Sequence, residues 1–554
     1  MMKKYLFTEI ILSAFIITAC GTAGQNAPDM GNPTEAVSDN VSEADGAEVV
    51  SGSVADKTEE KEDQAEVKAE EISKDSIIPV NVSYDWDDEW DEETYEYLFN
   101  SSYPKYEAED TETAGEAAPA LFEALESVNT KEKEWVQDFK SEYEAVKENA
   151  EADAPDLRYE LDINGSIVRC DGRVLSIRDD WTCNTGGAHG DFGIRAYNYD
   201  TQTGKELKLD DVFTDRDKLS LILEEKLLEN YDKEIFFYYT GAEGRALCDY
   251  VADAFDGDME FNLSYDRVTF CFATYSLAPY ASGLQMADIR YDEYPELFKM
   301  DLSSPAEHGE IVRYGQFYDV NTENGLKRYS FDGYQDTDEE NYFECYELTV
   351  YDGKEPVLVK RFDEYNSYSG TPYIVFLKDR VMLLVEVSGD NDSSTTYAAD
   401  LSKKDISFEL VGDGGFTIGS AQPSDPGHFS MWKRCDVLST YSVKGYFYFD
   451  EEGNILPSKE QGEYYDVNAE FPEPLKLLKD TAFDVVDENG EFVRERLFKA
   501  GAEFKIIKSD AKRKVLLKTE DGMIVRVVID NEEWPLTING EDAFEIFDNM
   551  FFAG

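Results

Sequence analysis

From Leu121 onward apolar side chains recur at three- and four-residue steps: Leu121, Leu125 and Val128, then Trp135, Phe139, Tyr143 and Val146. That spacing predicts one apolar helical face, and Asn129-Thr130 predicts a break into two helices. From Leu157 the period falls to two. Tyr159, Leu161 and Ile163 alternate with polar residues, and Cys170-Asp171-Gly172-Arg173 predicts a tight hairpin turn. Ile194 to Tyr199 predicts another strand, leaving through Asp200-Thr201-Gln202-Thr203-Gly204. Leu219, Ile222, Leu223 and Leu227 predict a second amphipathic helix, and Val268 to Tyr275 a return to strand. Residues 79–304 are therefore expected to be α+β, with helices packed on an antiparallel sheet.

Beyond residue 305 nearly everything predicts strand. Asn324-Gly325, Asp352-Gly353, Asn489-Gly490 and Asp521-Gly522 are hairpin turn pairs flanked by Val, Ile, Tyr and Phe. Residues 305–465 form one mainly-β region. Residues 466–554 form a compact unit whose clearest strands are Val485-Val486, Phe504–Ile507, Val515–Lys518 and Ile524–Val528.

The N-terminal end follows a different pattern. Lys3 and Lys4 precede a mostly apolar stretch, Ile10 to Ala19, closed by Ile17-Thr18-Ala19-Cys20. A positive start, a short apolar core and small residues at the cut describe a secretory signal, too short to span a bilayer. The ending resembles the bacterial lipobox, which implies removal of residues 1–19 and lipid on the Cys20 thiol. Two acyl chains anchor durably where one does not. No later stretch approaches 18 uninterrupted apolar residues, so this lipid is the expected membrane attachment. Residues 20–78 carry no sustained apolar period, and 21–78 carry no aromatic residue; the segment is expected to be a disordered acidic tether. The expected location is the extracytoplasmic face of a bacterial cell membrane.

Asp and Glu number 119 against 52 Lys and Arg among 554 residues, a net charge of −67. Such a surface repels nucleic acid and favours cationic partners. Cys170, Cys183, Cys248, Cys271, Cys345 and Cys435 form no CxxC pair, and the chain has three histidines, so no zinc site and no cofactor are expected. Proximity makes Cys170 with Cys183 the expected disulfide. Tyr84 to Asp91 mixes aromatic and acidic residues, and the expectation there is a solvated edge with two packed tryptophans.

Thr185-Gly186-Gly187-Ala188-His189-Gly190, Tyr197-Asn198-Tyr199-Asp200, Thr203-Gly204-Lys205-Glu206-Leu207 and Leu209-Asp210-Asp211-Val212-Phe213 resemble the extracytoplasmic domain of the RsiV anti-sigma factors. Tyr275-Ser276-Leu277-Ala278-Pro279-Tyr280-Ala281-Ser282-Gly283 resembles the Ala-Pro-Tyr-Ala-x-Gly stretch of the same family. The domain also accompanies PdaC-type polysaccharide deacetylases. The resemblance covers residues 98–300 and implies an outward-facing α+β domain. In RsiV that domain binds lysozyme, and in the deacetylases its role is accessory. No deacetylase metal motif and no cytoplasmic sigma-binding segment accompany it here. The tail resembles the SH3-like barrels of cell-wall proteins.

His189, between Gly187 and Gly190 and followed by Asp191, is the candidate general base, with Asp191 orienting the imidazole. Gly187, His189, Arg195 and Tyr280 are the candidate binding residues. Phe331 to Glu340 resembles a degenerate calcium loop, with Asp332, Asp336 and Asp338 as candidate ligands, although the turning glycine is missing. His308 and His428 are placed in loops. Lys505, Lys508, Lys512, Arg513, Lys514 and Lys518 form the one basic island. The leading expectation is a lipid-anchored protein that binds or senses an envelope component such as peptidoglycan, or a secreted protein such as lysozyme. The alternative is a cell-wall hydrolase or glycan-modifying enzyme centred on His189.

Overall fold

The computed structural model describes residues 73–90, 97–109, 118–149, 158–187, 189–240, 244–313, 316–336, 343–352, 355–362, 372–388, 394–411, 415–418, 422–459, 461–467, 473–532 and 534–552. Cys20, nearly all of the tether and Asp338 lie outside the described residues.

Five strands, β1 (Val80–Trp90), β2 (Tyr97–Ala108), β3 (Tyr159–Cys170), β4 (Val174–Asn184) and β5 (Asp191–Asp200), pair in chain order. Neighbours are antiparallel except β2 and β3, which run parallel over Phe99–Ser102. A parallel pair needs a long crossover, and the helix α1 (Pro119–Asn149) supplies it. Its first turns bury Leu121, Leu125 and Val128 against Val80, Tyr106, Ile177 and Tyr199. Its later turns bury Val136, Phe139 and Tyr143 against Phe99, Tyr159 and Ile163.

The expected break at Asn129-Thr130 does not occur. Asn129 Oδ1 accepts from the Tyr106 backbone N–H at 2.8 Å, and its Nδ2 donates to the Tyr106 carbonyl at 2.9 Å. Tyr106 lies beyond the stretch of β2 that pairs with β3, so the amide supplies the missing sheet partner. Thr130 returns its hydroxyl to the Glu126 carbonyl at 2.8 Å, which keeps it inside the helix.

The other face of the sheet meets a second layer. Three antiparallel strands, β6 (Met259–Leu263), β7 (Arg267–Phe272) and β8 (Gln285–Arg290), share one core with α2 (Arg216–Asn230) and α3 (Leu247–Ala254). Leu219, Ile222, Leu223 and Leu227 are buried, as their spacing predicts, and Asp215 caps α2 by accepting from Lys218 N at 3.0 Å. Asn198 donates to the Phe261 carbonyl at 2.7 Å and Asn262 to the Ile177 carbonyl at 2.9 Å, stitching the layers together.

A bulge between Ile167 and Arg169 turns Cys170 toward the α1 side and Arg169 away from it. Fully buried Arg169 donates to Asp171 at 2.8 Å and to the carbonyls of Ser264, Leu302 and Ser303 at 2.9–3.2 Å.

The β-rich remainder follows its turn pairs. Asn324-Gly325, Asn489-Gly490 and Asp521-Gly522 connect adjacent antiparallel strands, and Asp352 ends a strand paired with Glu355–Phe362, while Gly353 lies outside the described residues. A four-stranded sheet spans Phe317 to Phe362, and a five-stranded sheet includes β9 (His308–Ile311). A larger sheet runs from Phe416 to Asp548. Strands from the tail continue it through Tyr465–Val467, and its main pairing path is open, so the expected small barrel is not shown.

Several local expectations change. Cys170 opposes Leu175 while Cys183 opposes Leu161, at opposite ends of one hairpin. Eight residues of strand separate them, roughly 27 Å, which rules out a bond between them. Both are free thiols. Tyr84 to Trp90 does form an edge strand, but its tryptophans are largely exposed: Trp86 is 71% exposed, and Trp90, 46% exposed, rests on the Tyr97 ring at 3.5 Å. His308 lies in a strand rather than a loop, buried between the rings of Tyr265 and Phe376. Among the described residues no helix is long and apolar enough to cross a membrane.

Candidate functional site

The connection from β4 to β5 carries the glycine-flanked histidine. At Gly190 a Cβ would stand 2.7 Å from the Cys183 carbonyl oxygen, so only glycine lets the loop close onto the end of β4. The Gly190 carbonyl accepts from the Tyr280 hydroxyl at 2.7 Å and lies 2.8 Å from His189 Nδ1. The imidazole packs at a tilt against the Tyr280 ring at 4.4 Å, Phe192 meets that ring edge-on at 5.4 Å, and Tyr275 stands 5.8 Å away. Tyr280 begins a single 3₁₀ turn closed by Gly283 at φ 66°, and Tyr275 itself has φ 65°. Two sequence blocks about 90 residues apart therefore build one aromatic face.

That face is solvent-accessible. His189 is exposed, Tyr275 is 59% exposed, and Phe192 and Tyr280 are half-buried. Partial desolvation raises the Tyr280 phenol, and the Asp191 charge adds to the shift. Aromatic rings with an edge polar group suit a ligand that is part apolar and part hydrogen-bonding.

The predicted binding residues separate into two places. Gly187 borders His189, and His189 touches Tyr280. Arg195 lies elsewhere: its guanidinium stacks on Trp135 of α1 at 3.7 Å and donates to Glu132 at 3.3 Å. Alternation along β5 puts it on the helix-covered face, away from Phe192.

The proposed His189–Asp191 relay is not formed. Asp191 Oδ1 accepts from the Phe192 backbone N–H at 2.9 Å, while the imidazole turns to the Gly190 carbonyl.

Of the calcium candidates, Asp338 lies outside the described residues. Asp332 and Asp336 belong to the strand Gly325–Asp336 rather than to a loop, because the segment pairs residue by residue with Phe343–Tyr351. Among the described residues no group of three acidic, His or Cys side chains is placed to hold a metal. At least half of the basic island is engaged in ion pairs: Lys508 with Asp466, Lys514 with Glu463 and Arg513 with Glu532. His428 remains in a loop, stacked on Tyr446.

Two buried acids and a half-buried one carry no sequence motif. Glu132 and Asp179 are fully buried, and burial pushes Glu260 up to about 7 while its Oε2 accepts from Ala196 N at 3.3 Å. The signal for two of them was periodicity. Glu132 falls four residues after Val128 and three before Trp135, on the apolar stripe, and Asp179 follows Leu175 and Ile177 on the inward side of β4.

Residues 210–292 match the family described as a protein of unknown function, DUF3298. Two crystal structures of DUF3298 family proteins are similar to the chain. One, from Bacteroides fragilis, is 18% identical and covers 41% of this chain and 96% of its own, with a TM-score of 0.27. The other, from Pseudomonas aeruginosa, is 19% identical and covers 42% and 99%, with a TM-score of 0.28. No curated protein matches the chain.

Proposed function

We propose that this chain is a lipid-anchored extracytoplasmic protein that binds a cell-envelope component or a secreted protein through the aromatic face of His189, Phe192, Tyr275 and Tyr280. The observation that carries the reading is that face itself: two distant blocks converge to present clustered, accessible rings at the end of a sheet. Rigid aromatic side chains give contact area at low entropic cost, which is a binding rather than a proton-transfer arrangement. The lipobox-like Ile17-Thr18-Ala19-Cys20 supports the anchor, and the net charge of −67 supports a neutral or cationic partner such as peptidoglycan fragments or lysozyme.

The test is titration of the full-length lipidated protein in detergent against lysozyme and against peptidoglycan fragments. Saturable binding to one of them is expected, and no saturation with either overturns the reading. The hydrolase alternative has weaker support, because neither Asp191 nor any other described carboxylate bonds the His189 ring. Turnover of labelled peptidoglycan, lost on His189→Ala, would favour it instead.

A further inference from the structure

The outer edge of the five-stranded sheet is β1, four strand spacings, or roughly 19 Å, from β5 and separate from the aromatic face. Among the described residues β1 pairs with β2 and with no other strand. Its outer side is therefore a row of backbone N–H and C=O groups along 11 residues, a template for one more strand.

The two faces of β1 differ at its far end. Asp87 and Glu89 form ion pairs with Lys140 and Lys147 of α1, so they lie on the helix-covered face. Alternation then puts Trp86, Asp88 and Trp90 together on the opposite face. There Trp86 is more exposed than any other large apolar side chain among the described residues, and Asp88 and Trp90 are exposed as well. Trp90 is held from two sides. Its Nε1 donates to Asp88 Oδ2 at 2.7 Å, and its ring packs at a tilt on Tyr97 at 3.5 Å. That bond takes one of the roughly four acceptor positions of the carboxylate. Trp86 lies on the other side of Asp88, two residues or roughly 6.6 Å along the strand. A cation bonded to Asp88 thus has an indole on each side, near the roughly 6 Å reach of cation–π attraction.

Charge decides what the edge can accept. β1 carries Asp85, Asp87, Asp88 and Glu89 and no Lys or Arg. Two copies of the chain pairing through β1 would set carboxylates against carboxylates, which destabilises a ladder. We propose that the β1 edge binds an extended basic segment of a partner protein, which adds beside β1 as a sixth strand and seats a Lys or Arg side chain on Asp88 between Trp86 and Trp90. The backbone ladder supplies affinity, and the indoles with Asp88 select cationic residues at alternate positions, because alternate residues share a face.

The probe is a decapeptide of alternating Lys and Thr, blocked at both ends, titrated by calorimetry into the full-length lipidated protein in detergent at physiological salt. The matching Glu–Thr peptide is the charge-reversed control. Saturable binding is expected with the first and none with the second. Alternate amides of β1 should exchange more slowly in the complex, since only every second N–H faces the outer edge. Trp86→Ala and Asp88→Asn should each weaken binding roughly tenfold. Both side chains are exposed, so the far-ultraviolet spectrum should not change. The Tyr275→Ala/Tyr280→Ala variant should bind the peptide as wild type does, which keeps this surface distinct from the aromatic face. A Lys–Thr peptide that does not saturate overturns the proposal. Equal affinity in wild type and Trp86→Ala also overturns it, because attraction to the net charge of −67 would then account for the binding. Slowed exchange away from β1, or binding lost with Tyr275 and Tyr280, would put the peptide elsewhere and contradict it.

Discussion

Replacing Asn129 by Ala sets two effects of opposite sign against each other. Alanine is the better helix former, by at most about 0.7 kcal/mol at this position. Against that, the variant loses both hydrogen bonds to the Tyr106 backbone, at 2.8 and 2.9 Å, in a residue only 1% exposed. Each unsatisfied buried backbone group costs about 1–3 kcal/mol. The net is a destabilisation of about 1.5–5 kcal/mol, toward the lower end if water enters the space left by the amide. The assay is urea unfolding together with hydrogen exchange at the Tyr106 amide, which should lose protection by at least tenfold. A variant as stable as wild type, with Tyr106 still protected, would mean that Asn129 does not complete the edge of β2.

Gly190→Ala should separate His189 from Tyr280, because its Cβ would stand 2.7 Å from the Cys183 carbonyl; the expected readout is loss of tyrosine–imidazole contacts by NMR with the sheet core unchanged. Arg169→Met leaves buried Asp171 without its counter-charge, although its Oδ1 still accepts from the Arg173 and Val174 N–H groups, and should cost about 3–5 kcal/mol in denaturant unfolding. For Glu260 the folded value is about 7 and lies above the unfolded one, so the folded chain binds more protons and stability falls as pH rises from about 4.5 to 7. That loss reaches at most about 3 kcal/mol, and Glu260→Gln should remove it from the pH profile of unfolding. Unfolded protein labelled with a maleimide without prior reduction should be modified at both Cys170 and Cys183.

Where burial follows periodicity, the elements could be read from the chain. Leu219 to Leu227 gave α2, and the Asn-Gly and Asp-Gly pairs gave the hairpins, since each rests on interactions within a few residues. Asn129-Thr130 misled because the Asn129 amide is satisfied by a strand brought in from 23 residues earlier, while Thr130 turns back to the Glu126 carbonyl of its own helix. Cys170 and Cys183 are close in sequence yet stand at opposite ends of a hairpin, a separation that pairing register alone determines. At the aromatic face, His189 and Tyr280 were recognisable as residues, but their contact depends on the second layer folding over the end of β5. Arg195 looked like part of the same site and belongs to the other face of the strand, where Glu132 and Trp135 hold it.

The claim that the aromatic face does the binding is tested most directly by comparing the full-length lipidated protein with its Tyr275→Ala/Tyr280→Ala variant in one titration against peptidoglycan fragments and lysozyme. The account predicts saturable binding by wild type and at least tenfold weaker binding by the variant, with the same far-ultraviolet spectrum. Equal affinity in the two proteins would contradict it.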